Sequence, residues 1–139
     1  MIARTENIAI HNLMNEFELG GIGLFDYVDT ELDLSIDHFK DDADTQWQKS
    51  KNAMELGNLF GRLQTEIFPK GTKILRLESQ SLGEGWYITH LSQQFWYGLK
   101  KEEVIGRSLI LSHESDGKVD YFRETVQSVI EIQALNEAV

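Results

Sequence analysis

Cysteine is absent from this chain of 139 residues, so neither a disulfide framework nor a thiolate metal site is open to it. No apolar run approaches the length of a membrane span, and the N-terminus lacks the charged-then-apolar pattern of a signal peptide. Together these absences predict a cytoplasmic protein. Basic residues are scarce, with 13 Lys and Arg against 23 Asp and Glu, for a net charge of −10. The deficit is uneven: residues 1–60 carry 12 acids and 4 bases, residues 61–139 carry 11 and 9. A field of that sign repels phosphate backbones, so nucleic-acid binding is not expected, and it steers a positively charged protein toward the N-terminal half.

Chemical signatures are also missing. The four histidines (His11, His38, His90, His113) are scattered, and none stands in HxxxH, HxH or HExxH spacing. No GxSxG marks a nucleophile. Gly20-Gly21-Ile22-Gly23 follows a helical pattern and precedes a strand-like one, the wrong order for a phosphate-binding turn, and reads as a helix stop. The expectation is no enzyme, no catalytic or metal-ligating residue and no cofactor. Trp86, Phe95 and Trp96 read as core rather than as an aromatic cage, as do Trp47, Phe122 and Val126.

What the chain does have is an acidic stretch from Asp26 to Asp44, DYVDTELDLSIDHFKDDAD, with eight carboxylates and one lysine. Within it, residues 31–37 alternate polar and apolar. In a strand this lines Leu32, Leu34 and Ile36 on one face and Glu31, Asp33 and Asp37 on the other. A row of acids repels itself, so it reads either as a solvated outer face or as a surface for a basic partner. The candidate partner-binding residues are Glu31, Asp33 and Asp37 on the strand and Asp41, Asp42 and Asp44 at a helix start. Asp29 and His38 join them, with Asp26 of lesser rank. His38, beside Asp37, Asp41 and Asp42, reads as a surface histidine in an acidic patch.

Along the chain, Ile10, Leu13, Met14 and Phe17 predict a helix over residues 6–18. Ile22 to Val28 suits a strand. The acids at 41–44 suit the start of a second helix that carries Trp47 and ends by Gly57. Residues 59–67 fit either a helix or a strand, and two glycines within five residues favour the strand. Thr72–Glu78 and Trp86–Leu91 form a hairpin around Gly83-Glu84-Gly85, residues 93–99 extend the sheet, and Val104–Leu111 adds a strand. After a turn at Ser115-Asp116-Gly117, Val119, Phe122, Val126, Val129 and Ile130 stand at helical spacing and predict a helix over 119–135. With no repeat, linker or low-complexity tract, residues 1–139 make a single α+β domain. Its antiparallel sheet is packed with N-terminal, central and C-terminal helices.

Two resemblances attach to these segments. Glu31-Leu32-Asp33-Leu34-Ser35, then Trp47-Gln48-Lys49-Ser50, then Asp116-Gly117 leading through Phe122 to Ser128-Val129-Ile130-Glu131, resemble a family of contact-dependent growth inhibition immunity proteins. That family shows an E-L-x-L strand after an acidic lead-in, a W-x-x-S helix and a C-terminal S-V-[IL]-[DE] helix. Trp86-Tyr87-Ile88 is similar to its central strand. The resemblance implies an inhibitor whose partner is a cognate toxin domain, a basic nuclease delivered by a neighbouring cell. Residues 88–109, with Glu102-Glu103-Val104-Ile105-Gly106-Arg107, are similar instead to the middle of a PAS sensor domain, where a strand and a small helix precede the same phrase. This second resemblance implies a small-molecule cavity and signalling.

Overall fold

Leu32, Leu34 and Ile36 face the protein interior and Glu31, Asp33 and Asp37 face out along β1 (Val28–His38), as their alternation requires. The computed structural model describes residues 7–40 and 45–132. Asp41, Asp42 and Asp44 therefore lie outside the described residues. Before β1 comes α1 (Ala9–Glu18), with Ala9, Ile10, Leu13 and Met14 buried. Between α1 and β1 the expected strand over 22–28 is a 3-10 turn, Leu24–Tyr27. Gly20 and Gly21 turn the chain at positive φ and leave Ile22 98% exposed, so of this run only Leu24 and Val28 reach the core.

The central helix starts later than the acids at 41–44 predict. Residues 49–50 form a short strand, β2 (Lys49–Ser50), and α2 (Ala53–Arg62) follows it. Asn52 caps α2 by accepting from the Glu55 amide at 2.8 Å, while the Glu55 carboxylate accepts from the Lys51 amide at 2.8 Å. Trp47 thus precedes α2 and is only partly buried against the core. Residues 59–67 are helical, not extended: α2 passes directly into a π-helical turn, Leu63–Ile67. Leu56, Leu59, Leu63 and Ile67 bury one stripe, whereas Gly57 and Gly61 sit on the solvent side. Each buried aliphatic side chain contributes about 1.5–3 kcal/mol, against about 1 kcal/mol for each helical glycine. Burial wins.

Four long strands complete the chain: β3 (Thr72–Gly83), β4 (Trp86–Tyr97), β5 (Glu102–Ser115) and β6 (Lys118–Glu131). Glu84-Gly85 and Asp116-Gly117 are two-residue hairpin turns with both residues at positive φ, the conformation that matches strand twist. All six strands form one sheet in the order β2-β1-β6-β5-β4-β3. It is mixed, because β1 pairs parallel with β6 while the other pairs are antiparallel. The domain is α+β as expected, but the sheet is not purely antiparallel, and where the spacing predicts a C-terminal helix over 119–135 the chain runs as β6 to Glu131, residues 133–135 lying outside the described residues.

Two bulges explain the misread helix. Opposite β5, β6 carries one extra residue at Asp120 and another at Gln127. Each stretches the spacing of inward residues from two to three, 119 to 122 and 126 to 129. Glu124, a charged residue in the inward slot between Phe122 and Val126, conceals the alternation that remains. Trp86 is half-buried at the hairpin end, its ring 4.8 Å from His113 and 5.3 Å from Tyr121, rather than in the core with Phe95 and Phe122.

At the far end, the Gly98 amide donates to the Ile67 carbonyl at 3.1 Å. A Cβ on Gly98 would meet the Glu66 carbonyl oxygen at 2.1 Å, so only glycine lets the end of β4 lie against the π-helical turn. The helices and the sheet thereby enclose one hydrophobic core. Asn52→Ala, which removes the α2 cap, is expected to lower unfolding free energy by about 1 kcal/mol in urea denaturation, with no change in slope.

Candidate functional site

The inner face of the sheet does not fill the space beneath the helices. Between them lies a cavity of about 100 Å³, more than a few waters need and somewhat less than the ~150 Å³ that accommodates benzene in a dry protein core. Its roof is Leu13, Met14 and Phe17 of α1 with Leu56 and Phe60 of α2 and Leu63 of the π-helical turn. An aromatic chain stiffens one wall, with ring centroids 5.1 Å apart for Phe17 and Phe68, 4.5 Å for Phe68 and Phe95, and 5.8 Å for Phe95 and Tyr97. A more polar hollow of about 270 Å³, bounded by Phe39, Lys40, Lys100 and Ser128, meets the cavity at His38, Val126 and Val129.

Few polar groups interrupt these apolar walls, and several converge. Glu124 and Ser108 come from the paired strands β6 and β5, and His38 comes from β1, whose parallel register sets Ile36 beside Glu124 and His38 beside Val126. Gln48 reaches the site from the other side of β1, where its carbonyl accepts from the Ile36 amide at 2.9 Å. His38 Nε2 and Gln48 Oε1 are 3.0 Å apart. Gln93, on β4, accepts from the Thr72 hydroxyl at 2.8 Å.

Two of these groups are held at a cost. Glu124 is 7% exposed, and burial pushes its carboxyl above the usual carboxylate range, while a hydrogen bond from Ser108 and the charge of nearby His38 pull it back. Gln48 is 1% exposed, and its side-chain Nε2 has no hydrogen-bond partner among the described residues. A buried donor left in that state costs about 1–3 kcal/mol. Buried groups of this kind inside a cavity are what a ligand or substrate repairs.

The residues singled out from sequence divide sharply. Glu31, Asp33 and Asp37 share the outer face of β1, away from the cavity. Asp33 pairs with Arg123 at 3.1 Å, and the Asp29 carboxylate accepts from the Glu31 amide at 2.9 Å. His38 is not a surface histidine in an acidic patch, because its place in the alternation turns it inward to line the cavity. Glu124, Ser108 and Gln48 escaped sequence reasoning. A signal for Glu124 did exist: read as a strand, Phe122-Arg123-Glu124-Thr125-Val126 puts a lone acid between two apolar inward residues. Among the described residues no cluster of potential ligands could hold a metal ion, and no helix is long and apolar enough to cross a membrane.

No family model matches the sequence, and no curated protein does. Solved structures do match. An NTF2-like protein from Anabaena variabilis superposes with a TM-score of 0.68 over 92% of this chain and 95% of its own, at 13% identity. The chain has an NTF2-like fold. TerC, co-crystallised with polyporic acid, shares it at a TM-score of 0.65 over 93% of each chain and 12% identity. An LEH-like epoxide hydrolase from M. tuberculosis does so at 0.60, over 88% of this chain and 84% of its own, at 16% identity.

The NTF2-like fold overturns the immunity-protein resemblance and the toxin partner that it implied. Its supposed W-x-x-S helix is the stretch before α2, and its C-terminal helix is β6. The PAS resemblance falls too, since residues 88–109 belong to the adjacent antiparallel strands β4 and β5 with only a turn between them. The expectation of a protein without enzyme character is likewise corrected. Proteins sharing this fold include an epoxide hydrolase-like one, and an ionisable group stands inside the cavity.

A raised folded-state pKa means that the folded protein keeps a proton that the unfolded chain gives up above about pH 4.3. Glu124 therefore weakens stability increasingly as pH rises from there through its folded value, and has no such effect below it. Glu124→Gln is expected to raise the melting temperature at pH 8 and to leave it unchanged at pH 4, as thermal denaturation at the two pH values would read.

Proposed function

We propose that this protein binds a small, largely apolar organic molecule in the cavity between the helices and the sheet, and that Glu124 moves a proton on it as general base. The observation that carries this reading is that Glu124, the one buried carboxyl among the described residues, lines a largely apolar cavity. A carboxylate so placed is a stronger base than one in water, and its raised pKa brings it nearer to working pH. Ser108 orients it, and His38 supplies a nearby charge that keeps the ionised form within reach. The aromatic and aliphatic walls favour an apolar guest by removing its surface from water. Small-molecule use of the fold supports the reading, since TerC was co-crystallised with polyporic acid. A cytoplasmic setting, expected from the absence of cysteine, belongs to the same proposal.

The reading is tested by titrating the protein with cyclopentene, an apolar probe smaller than benzene and without a donor, while following backbone amides and the Glu124 side-chain carboxyl by NMR. Shifts confined to cavity-lining residues are expected, together with a further rise in the Glu124 pKa as cyclopentene displaces water from around it. Undisturbed cavity residues, or a Glu124 titration that ignores cyclopentene, would count against it. With a turned-over substrate in hand, kcat/KM should rise with pH through the Glu124 pKa. Glu124→Gln should then lose about 10²–10⁴-fold without loss of binding.

A further inference from the structure

Gln48 has spent every hydrogen-bonding group but one. Its backbone amide donates to the Thr45 carbonyl at 3.1 Å, its own carbonyl accepts from the Ile36 amide at 2.9 Å, and its side-chain oxygen meets His38 Nε2 at 3.0 Å. The first two bonds fix the backbone and the third holds the side chain; Gln48 lines the cavity, and its buried Nε2 has no acceptor among the described residues. Gln48 and Glu124 flank β1 at the level of Ile36, one on either side. Their backbones are thus two strand spacings, roughly 10 Å, apart across the floor of the cavity.

We propose that Gln48 anchors the ligand by donating its free side-chain N–H to a carbonyl oxygen, so that the bound molecule is a small apolar carbonyl compound held between Gln48 and Glu124. The inference rests on the small-molecule reading of the cavity and adds the chemical class. A carbonyl fits because it accepts without bringing a hydrogen of its own, and the cavity walls are largely apolar, with Leu34, Ile36 and Leu56 among them. A hydroxyl there would satisfy Gln48 and strand its own proton. A hydrocarbon would leave the amide unpaired. Discrimination by a buried donor of this kind exceeds what apolar contact alone achieves. With His38 Nε2 protonated, its proton goes to the Gln48 side-chain oxygen and the amide nitrogen is presented to the ligand. Gln48 is accordingly a specificity-determining residue.

The test compares cyclohexanone, cyclohexanol and cyclohexene binding to the full chain by NMR, reading cavity amides for affinity and the Gln48 side-chain NH₂ pair for the contact. Cyclohexanone is expected to bind about tenfold tighter than either of the others, the difference that one hydrogen bond supplies, and to shift one Gln48 side-chain proton downfield. In Gln48→Leu the preference should vanish while cyclohexene still binds. The wild-type NH₂ shift decides the matter should that variant not fold. A Gln48 side chain blind to cyclohexanone, or a preference that survives in Gln48→Leu, overturns the anchor and leaves the cavity reading standing. Tighter cyclohexanol binding also overturns it, by showing the amide turned the other way. If none of the three probes moves the cavity residues, both the anchor and the small-molecule reading fail.

Discussion

The parallel pairing of β1 with β6 is the constraint on which the rest of the molecule depends. It joins a strand from the first third of the chain to the last described one, with Leu34 beside Phe122, Ile36 beside Glu124 and His38 beside Val126. Every hydrogen bond of that ladder spans some ninety residues, so closing it carries a large loop entropy unless the β3-β4-β5 meander and the helices shorten the path between its ends. Once formed, it carries β1 and β2 into the sheet, and Gln48 with them. Without it, the walls contributed by the two ends of the chain would not face each other, and the cavity would have no floor.

The cavity is kept at the expense of stability. Close packing would fill it, since interiors tolerate few voids larger than a water, and a buried carboxyl and an unpaired amide add to the cost. The surrounding aromatic chain from Phe17 through Phe68 and Phe95 to Tyr97 resists collapse. Gly106 helps from below, where a Cβ would come within 3.2 Å of the Phe95 ring. Such concentrated violations of packing and polar satisfaction are characteristic of sites that meet a ligand.

Several elements were legible from local pattern alone. The 3.6-residue period of α1, the period-two alternation of β1 and the Asp116-Gly117 turn each follow from interactions within a few residues. The alternation of Glu31, Asp33 and Asp37 with apolar residues marks the outer face of a strand. On the opposite face of the same strand, His38 lines the cavity, and nothing in the local charge pattern signals it. Residues 59–67 offered both periods, and only the sheet beneath Leu59, Leu63 and Ile67 decided between them. In β6, bulges at Asp120 and Gln127 turned a strand's spacing into a helix's, and no local rule reveals a bulge that exists only against a partner strand.

The sequence by itself determined the class of the molecule: one α+β domain, acidic, free of disulfides, with hairpin turns where glycine follows an acid. These properties rest on composition and on contacts between near neighbours, which are written in residue order. The tertiary structure alone decided that β6 is a strand, that it lies parallel to β1, and that Glu124, Ser108, His38 and Gln48 converge on one cavity. Those residues are as far as 86 positions apart, from His38 to Glu124. The raised pKa of the Glu124 carboxyl comes from burial, and burial is a property of what surrounds a residue rather than of the residue.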